Sequence, residues 1–169
     1  MNLVVTDTGP LLHLHEVGAV DLLAHLGTVH VTPTVLSELQ RHAPSFFKDG
    51  LPHWLEESLP STEALGQAAR WTAAGVLDAG EAEALAFART INADLFVTDD
   101  AAARTVGESL GLNVRGTLGV VLYNAAAGHL NYATALNTLT NLEQRSTLWM
   151  SAKVKRAAND ALSQIFRTG

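Results

Sequence analysis

Leu3-Val4-Val5-Thr6-Asp7 has the same form as Leu95-Phe96-Val97-Thr98-Asp99-Asp100 late in the chain. Each is a short run of β-branched and apolar residues that ends at aspartate, the pattern of a strand with an acid at its carboxyl end. Gly9 and Pro10 follow the first run, then Leu11-Leu12-His13-Leu14, which predicts a tight turn leading into a helix. Val29-His30-Val31-Thr32 is a further short strand. Thr32 and Pro33 then supply the N-cap and first residue of a helix that carries Val35, Leu36, Glu38 and Leu39.

The segment 43–62 holds Pro44, Pro52 and Pro60 with Gly50, and it predicts irregular chain with exposed aromatics. Within it, Pro52-His53-Trp54-Leu55 has room for a short extended piece. Residues 63–75 predict a helix. Asp78-Ala79-Gly80-Glu81 opens an alanine-rich helix that runs to about Thr90. Beyond the 93–98 strand, Ala101 to Leu110 forms a helix stopped by Gly111, and Asn113–Gly116 a short strand or turn. Thr117 caps an apolar helix through Ala127, closed by Gly128. Two helices fit 131–144 and 151–166, with Leu136, Leu139 and Leu142 as an apolar stripe on the first. Strands alternating with helices predict an α/β fold whose parallel sheet is covered on both faces. The whole chain, 1–169, is expected to be a single domain with a helical C-terminal extension at about 129–169.

Composition narrows the chemistry. The chain has 169 residues, 47% hydrophobic and 17% charged, enough to bury a core. It has no cysteine, so disulfides and thiolate metal sites are excluded. No apolar run approaches the ~20 residues of a membrane helix. The start of the chain lacks the basic and apolar segments of a signal peptide. Cytoplasmic residence without membrane contact is the expectation. The net charge of −6 argues against a protein that coats nucleic acid through a basic face. It does not argue against a nuclease, whose cation site is itself acidic before the cations bind.

In a parallel sheet, Asp7 and the Asp99-Asp100 pair end strands at one edge, where ligands bind in open α/β sheets. Glu38 and Glu81 lie early in helices that start from that edge. Four separate segments can thus bring carboxylates to one mouth. A phosphodiester repels hydroxide, and Mg²⁺ or Mn²⁺ answers this by acidifying water, neutralising the phosphate and stabilising the leaving oxygen. Such hard cations prefer oxygen ligands. Each acid also has a structural role open to it. Asp7 precedes a turn, Glu38 suits a solvated helix face, Asp78-x-x-Glu81 fits a capping box, and Asp99 or Asp100 can cap the 101–110 helix.

Four stretches together resemble the PIN-domain family. Val4-Val5-Thr6-Asp7-Thr8-Gly9-Pro10-Leu11 is similar to that family's first motif, and Pro33-Thr34-Val35-Leu36-Ser37-Glu38-Leu39 to its second. Gly80-Glu81-Ala82-Glu83-Ala84-Leu85-Ala86-Phe87-Ala88 resembles the third motif, and Ala93 to Asp100 the fourth. Gly116-Thr117-Leu118-Gly119-Val120-Val121-Leu122 points to a PIN-like prokaryotic subfamily related to VapC-type toxins. The resemblance implies a Rossmann-like α/β/α sandwich and cleavage of RNA with Mg²⁺ or Mn²⁺. It also implies a toxin role with a cognate antitoxin, and a homodimer. Carried over by motif, the ligands are Asp7, Glu38, Glu81 and Asp100. The third motif departs from the family's usual aspartate and offers Glu81 and Glu83. Their side chains point about 200° apart on a helix, and the alignment favours Glu81. In the fourth motif Asp100 matches the family more often, while Asp99 ends the strand.

Thr8 and Thr98 sit beside the acids and are placed to hold a cation-bound water. Arg41, Arg89, Arg104 and Arg115 are the nearest basic residues in sequence, equally suited to RNA contact and to a solvated helix face. His13 and His15 diverge on a helix and read as solvated or partly buried. Phe46, Phe47 and Trp54 read as local core packing ahead of a dimer or antitoxin surface. Lys153, Lys155 and Arg156 read as a solvated helix face. The first functional expectation is an endoribonuclease. The second is a non-catalytic PIN-like module that binds a protein or nucleic acid. A phosphatase with an aspartate nucleophile is the third, and the lack of any lysine between Lys48 and Lys153 counts against it.

Overall fold

The computed structural model describes residues 2–167. Met1, Thr168 and Gly169, the ends of the expected domain, lie outside the described residues. Five strands form one sheet: β1 (Leu3–Thr6), β2 (Thr28–Val31), β3 (Leu55–Glu57), β4 (Leu95–Val97) and β5 (Val114–Arg115). All neighbours pair parallel, in the order β3-β2-β1-β4-β5. Helices flank the sheet on both sides, giving the α/β/α sandwich.

β1 is central, and Val4, Val5 and Thr6 are fully buried. A strand covered on both faces needs apolar residues on both, so the run does not alternate. Val5 pairs with His30 on one side and Phe96 on the other. From β1 the chain winds outward to β2 and β3, then returns to place β4 and β5 on the opposite side. The direction of winding reverses between β1 and β4. Helices leaving the two strands diverge at such a point, and a crevice opens at the carboxyl ends.

The helices are α1 (Thr8–Glu16), α2 (Pro33–His42), α3 (Thr62–Ala73), α4 (Ala79–Thr90), α5 (Ala101–Ser109), α6 (Thr117–Ala126), α7 (Tyr132–Arg145) and α8 (Ala152–Arg167). α4 contacts α2, α3, α5 and β1, and its residues Ala82, Ala84, Leu85, Ala86, Phe87 and Ala88 are all buried. Small side chains let a helix sit this close to several neighbours at once, which explains the alanine run. α7 and α8 pack on α6, burying Leu142 and Leu162 completely.

Several local expectations are corrected. α1 begins at Thr8, directly after Asp7, so Gly9 and Pro10 form its first turn and no separate turn precedes it. Pro10 needs no amide partner there, because first-turn amides have none within the helix. The 43–62 aromatics are not all exposed. Phe46 and Trp54 are buried, and the Trp54 indole donates to Asp21 at 3.0 Å. This is the local core packing that sequence favoured for their side chains. The strand in that segment is Leu55–Glu57, which starts three residues later than expected and shares only Leu55 with the expected stretch. Gly116, not Thr117, is the N-cap of α6, and Thr117 serves the site instead.

Candidate active site

The crevice at the β1/β4 switch is a cavity of about 490 Å³. Asp7, Glu38, Asp78, Glu81, Asp99 and Asp100 all line it. Three of the four motif acids reach it from the ends of β1 and β4 and from the first turn of α4. Glu38 reaches it from the second turn of α2.

Asp7 lies deepest, with 2% of its surface exposed. Its amide continues the ladder by donating to Val97 O at 3.1 Å, which fixes its position against β4. Thr98 donates its hydroxyl to Asp7 Oδ2. The other oxygen, Oδ1, is buried without a hydrogen-bond partner. Burial pushes the Asp7 pKa well above the ordinary carboxylate value. The Thr98 hydrogen bond opposes this, and the charges of Asp99, Glu81 and Asp100 add to the rise. Glu81 is raised too, first by burial, with the Asp78 amide opposing and Asp100, Asp78 and Glu38 contributing repulsion. The crevice therefore holds more negative charge than it neutralises.

The other acids are held by amides at helix starts. Asp100 caps its own helix, Oδ1 accepting from Ala103 N at 2.7 Å. Glu81 accepts from Asp78 N at 3.1 Å, one arm of the expected capping box. Glu38 accepts from Gly80 N at 3.0 Å in the first turn of α4, and its second oxygen accepts from the Thr8 hydroxyl. Asp99 accepts from the amide and hydroxyl of Thr117, the first residue of α6, and lies 2.7 Å from His13 Nδ1. Two glycines permit these contacts. A Cβ on Gly80 would lie 2.6 Å from Glu38 Cδ, and one on Gly116 2.8 Å from Asp99 Oδ1.

Glu83 faces elsewhere. It accepts from Thr34 N at 3.1 Å and from Thr34 Oγ1 at 2.7 Å, away from the crevice. Geometry thus separates the two third-motif glutamates as the helical spacing required. Arg104 donates to Thr98 O at 3.3 Å and lines a neighbouring cavity, not this one. Thr8 binds Glu38, and Thr98 bridges Asp7 to the Asp100 amide at 3.1 Å. His13, read as solvated or partly buried, is the residue that sequence reasoning undervalued. It lies in the last turn of α1, and no local pattern in the sequence pairs it with Asp99, 86 residues further on. Arg41 and His42 line the crevice from the last turn of α2, and Thr147, Leu148 and Trp149 from the connector between α7 and α8. Among the described residues, no three acidic or histidine side chains converge into a ready cation cage.

A family model described as a PIN domain matches residues 3–164. The chain belongs to the PIN-domain family. PIN domains are generally nucleases, hydrolases that act on nucleic acid. No curated protein matches the chain. Among the described residues no helix is long and apolar enough to cross a membrane.

Two outcomes follow from this PIN-domain geometry. Asp7 binds its proton more tightly in the folded chain than in the unfolded one. Its contribution to stability is therefore present at pH below the ordinary carboxylate range and is lost as pH rises through the raised value. Without divalent cations, Asp7→Asn should therefore raise the melting temperature at pH 7 above the parent's. The gain should shrink toward pH 4, and a calorimetric pH series checks it; a gain independent of pH would contradict it. Gly80→Ala should drive Glu38 off the α4 amide and lower the urea midpoint, at a cost of about 1–3 kcal/mol. A midpoint equal to the parent's would show that Glu38 is not held there.

Proposed function

We propose that this protein is an endoribonuclease that hydrolyses RNA phosphodiesters with Mg²⁺ or Mn²⁺ bound in the switch-point crevice. The observation that carries the reading is the buried, unpartnered Asp7 Oδ1 among the carboxylates of Glu81, Asp99 and Asp100. A buried carboxylate oxygen without a partner costs free energy unless a cation or donor meets it. The donor set is all hard oxygen, and Mg²⁺ typically takes one or two carboxylates and keeps several waters. The residues fit such an ion without a closed cage.

Asp7, Glu81 and Asp100 would hold the cation, each with one oxygen outside the bonds described above. Asp99 and Glu38, expected as ligands, have both oxygens engaged, and their proposed role is to brace the α6, α1 and α4 starts around the crevice. Thr98 orients Asp7 and ties it to the Asp100 amide. Arg41 stands at the rim, where it would meet the RNA backbone. When bound, the cation supplies neutralisation of the phosphodiester and acidification of water.

The finer reading is a VapC-like toxin, cytoplasmic, with a cognate antitoxin and acting as a homodimer. It treats the chain as one PIN-like domain with α7 and α8 as its helical C-terminal extension. A non-catalytic module that binds a protein or nucleic acid is the second reading. The full engagement of Glu38 and Asp99 in internal bonds favours it.

Cleavage of single-stranded RNA should require Mg²⁺ or Mn²⁺, stop with chelator, and fall by at least about 100-fold in Asp7→Asn. Equal rates for parent and variant would remove the ribonuclease reading.

A further inference from the structure

Beside the acidic crevice lies a second cavity of about 580 Å³. Asp99, Leu148 and Trp149 line both. The second is lined mainly by apolar groups, with Arg104 and Arg115 among them. Trp149 is 84% exposed, although Leu148 and Met150 on either side are half-buried. The connector is held in place. Thr147 donates its amide to Glu16 Oε2 at 2.7 Å and its hydroxyl to Oε1 at 2.9 Å, while Leu148 N donates to Ser146 Oγ at 3.2 Å. A large indole is thus presented to water by an anchored backbone, at the ridge between two cavities.

The two arginines are placed as well. Arg104 is fixed on Thr98 O, and the Arg115 guanidinium lies 5.8 Å from the centre of the Tyr123 ring. They bring positive charge to a molecule whose net charge is −6. An aromatic face, an apolar floor and fixed guanidinium groups are what a single nucleotide needs. The base stacks, and its phosphate meets the arginines.

We propose that Trp149 stacks on an unpaired base of single-stranded RNA adjoining the scissile phosphate, with Arg104 and Arg115 holding that nucleotide's backbone in the second cavity. The assignment rests on the ribonuclease reading for the identity of the ligand. Trp149 is a positioning residue in this account and takes no part in bond breaking. Stacking requires an open base, so the subsite selects single strands over duplex.

The test separates binding from cleavage. A short single-stranded oligoribonucleotide carrying a fluorescent label is titrated with Asp7→Asn protein in the presence of chelator; the anisotropy of the label gives the affinity, and tryptophan fluorescence is followed alongside. Binding should quench the exposed indole. Adding Trp149→Ala should weaken affinity by about 5- to 150-fold, the equivalent of 1–3 kcal/mol per stacked base. Trp149→Phe should hold affinity within about threefold while removing most of the quench, since Trp54 is buried and Trp71 half-buried. In the cleaving protein, Trp149→Ala should raise KM and leave kcat within about threefold. The subsite is overturned if the parent shows no quench, if Trp149→Ala binds like the parent, or if a duplex of the same sequence binds equally well. It is also overturned if Trp149→Ala changes the sedimentation of the protein and not its RNA affinity, because the indole would then serve a protein interface. Should cleavage fail while Trp149→Ala still weakens binding, the ribonuclease reading falls and the stacking subsite stands.

Discussion

Everything at the crevice depends on the burial of one carboxylate. Asp7 is carried inward because it ends the central strand, where its amide completes the ladder to β4. It cannot retreat to solvent without breaking that ladder. Thr98 satisfies one oxygen, and the second is left bare. Carboxylates crowd the same space from β4 and α4, so each raises the cost of ionising the next. Such concentrations of like charge are common at functional sites and rare in structural cores.

The surrounding acids are held by long-range exchange between helix starts. Glu38 of α2 accepts the Gly80 amide of α4, and Glu83 of α4 accepts the Thr34 amide of α2. Each helix thus supplies the acid that meets the other's unpaired first-turn amide. Asp99 does the same for α6. The structural and chemical roles of these acids are therefore not rivals. The bonds that satisfy helix ends also set where the carboxylates stand, and they leave Asp7, Glu81 and Asp100 as the proposed cation ligands.

The sequence made the sheet legible because Leu3–Thr6 and Leu95–Val97 carry the continuous apolar pattern that only doubly covered parallel strands need. It marked the acids because strand-end aspartates and the Asp78-x-x-Glu81 box are local patterns. The helical angle between Glu81 and Glu83 foretold that one of them would face away. The Glu38–Gly80, Asp99–Thr117 and His13–Asp99 contacts were not legible, because they join segments far apart in the chain. Glycines 80 and 116 carried that information in disguise, as positions where a carboxylate presses on the backbone. Phe46 and Trp54 turn inward, as the core packing read for their side chains required, although irregular chain of this kind usually lies outside.

The central claim is that Asp7 is a cation ligand and not a strained remnant of the fold. Calorimetric titration of Mn²⁺ into the metal-free protein and into Asp7→Asn tests it without reference to any substrate. Saturable binding by the parent, weakened at least about tenfold in the variant, is the predicted result. Equal binding by both, or none by the parent, would contradict it.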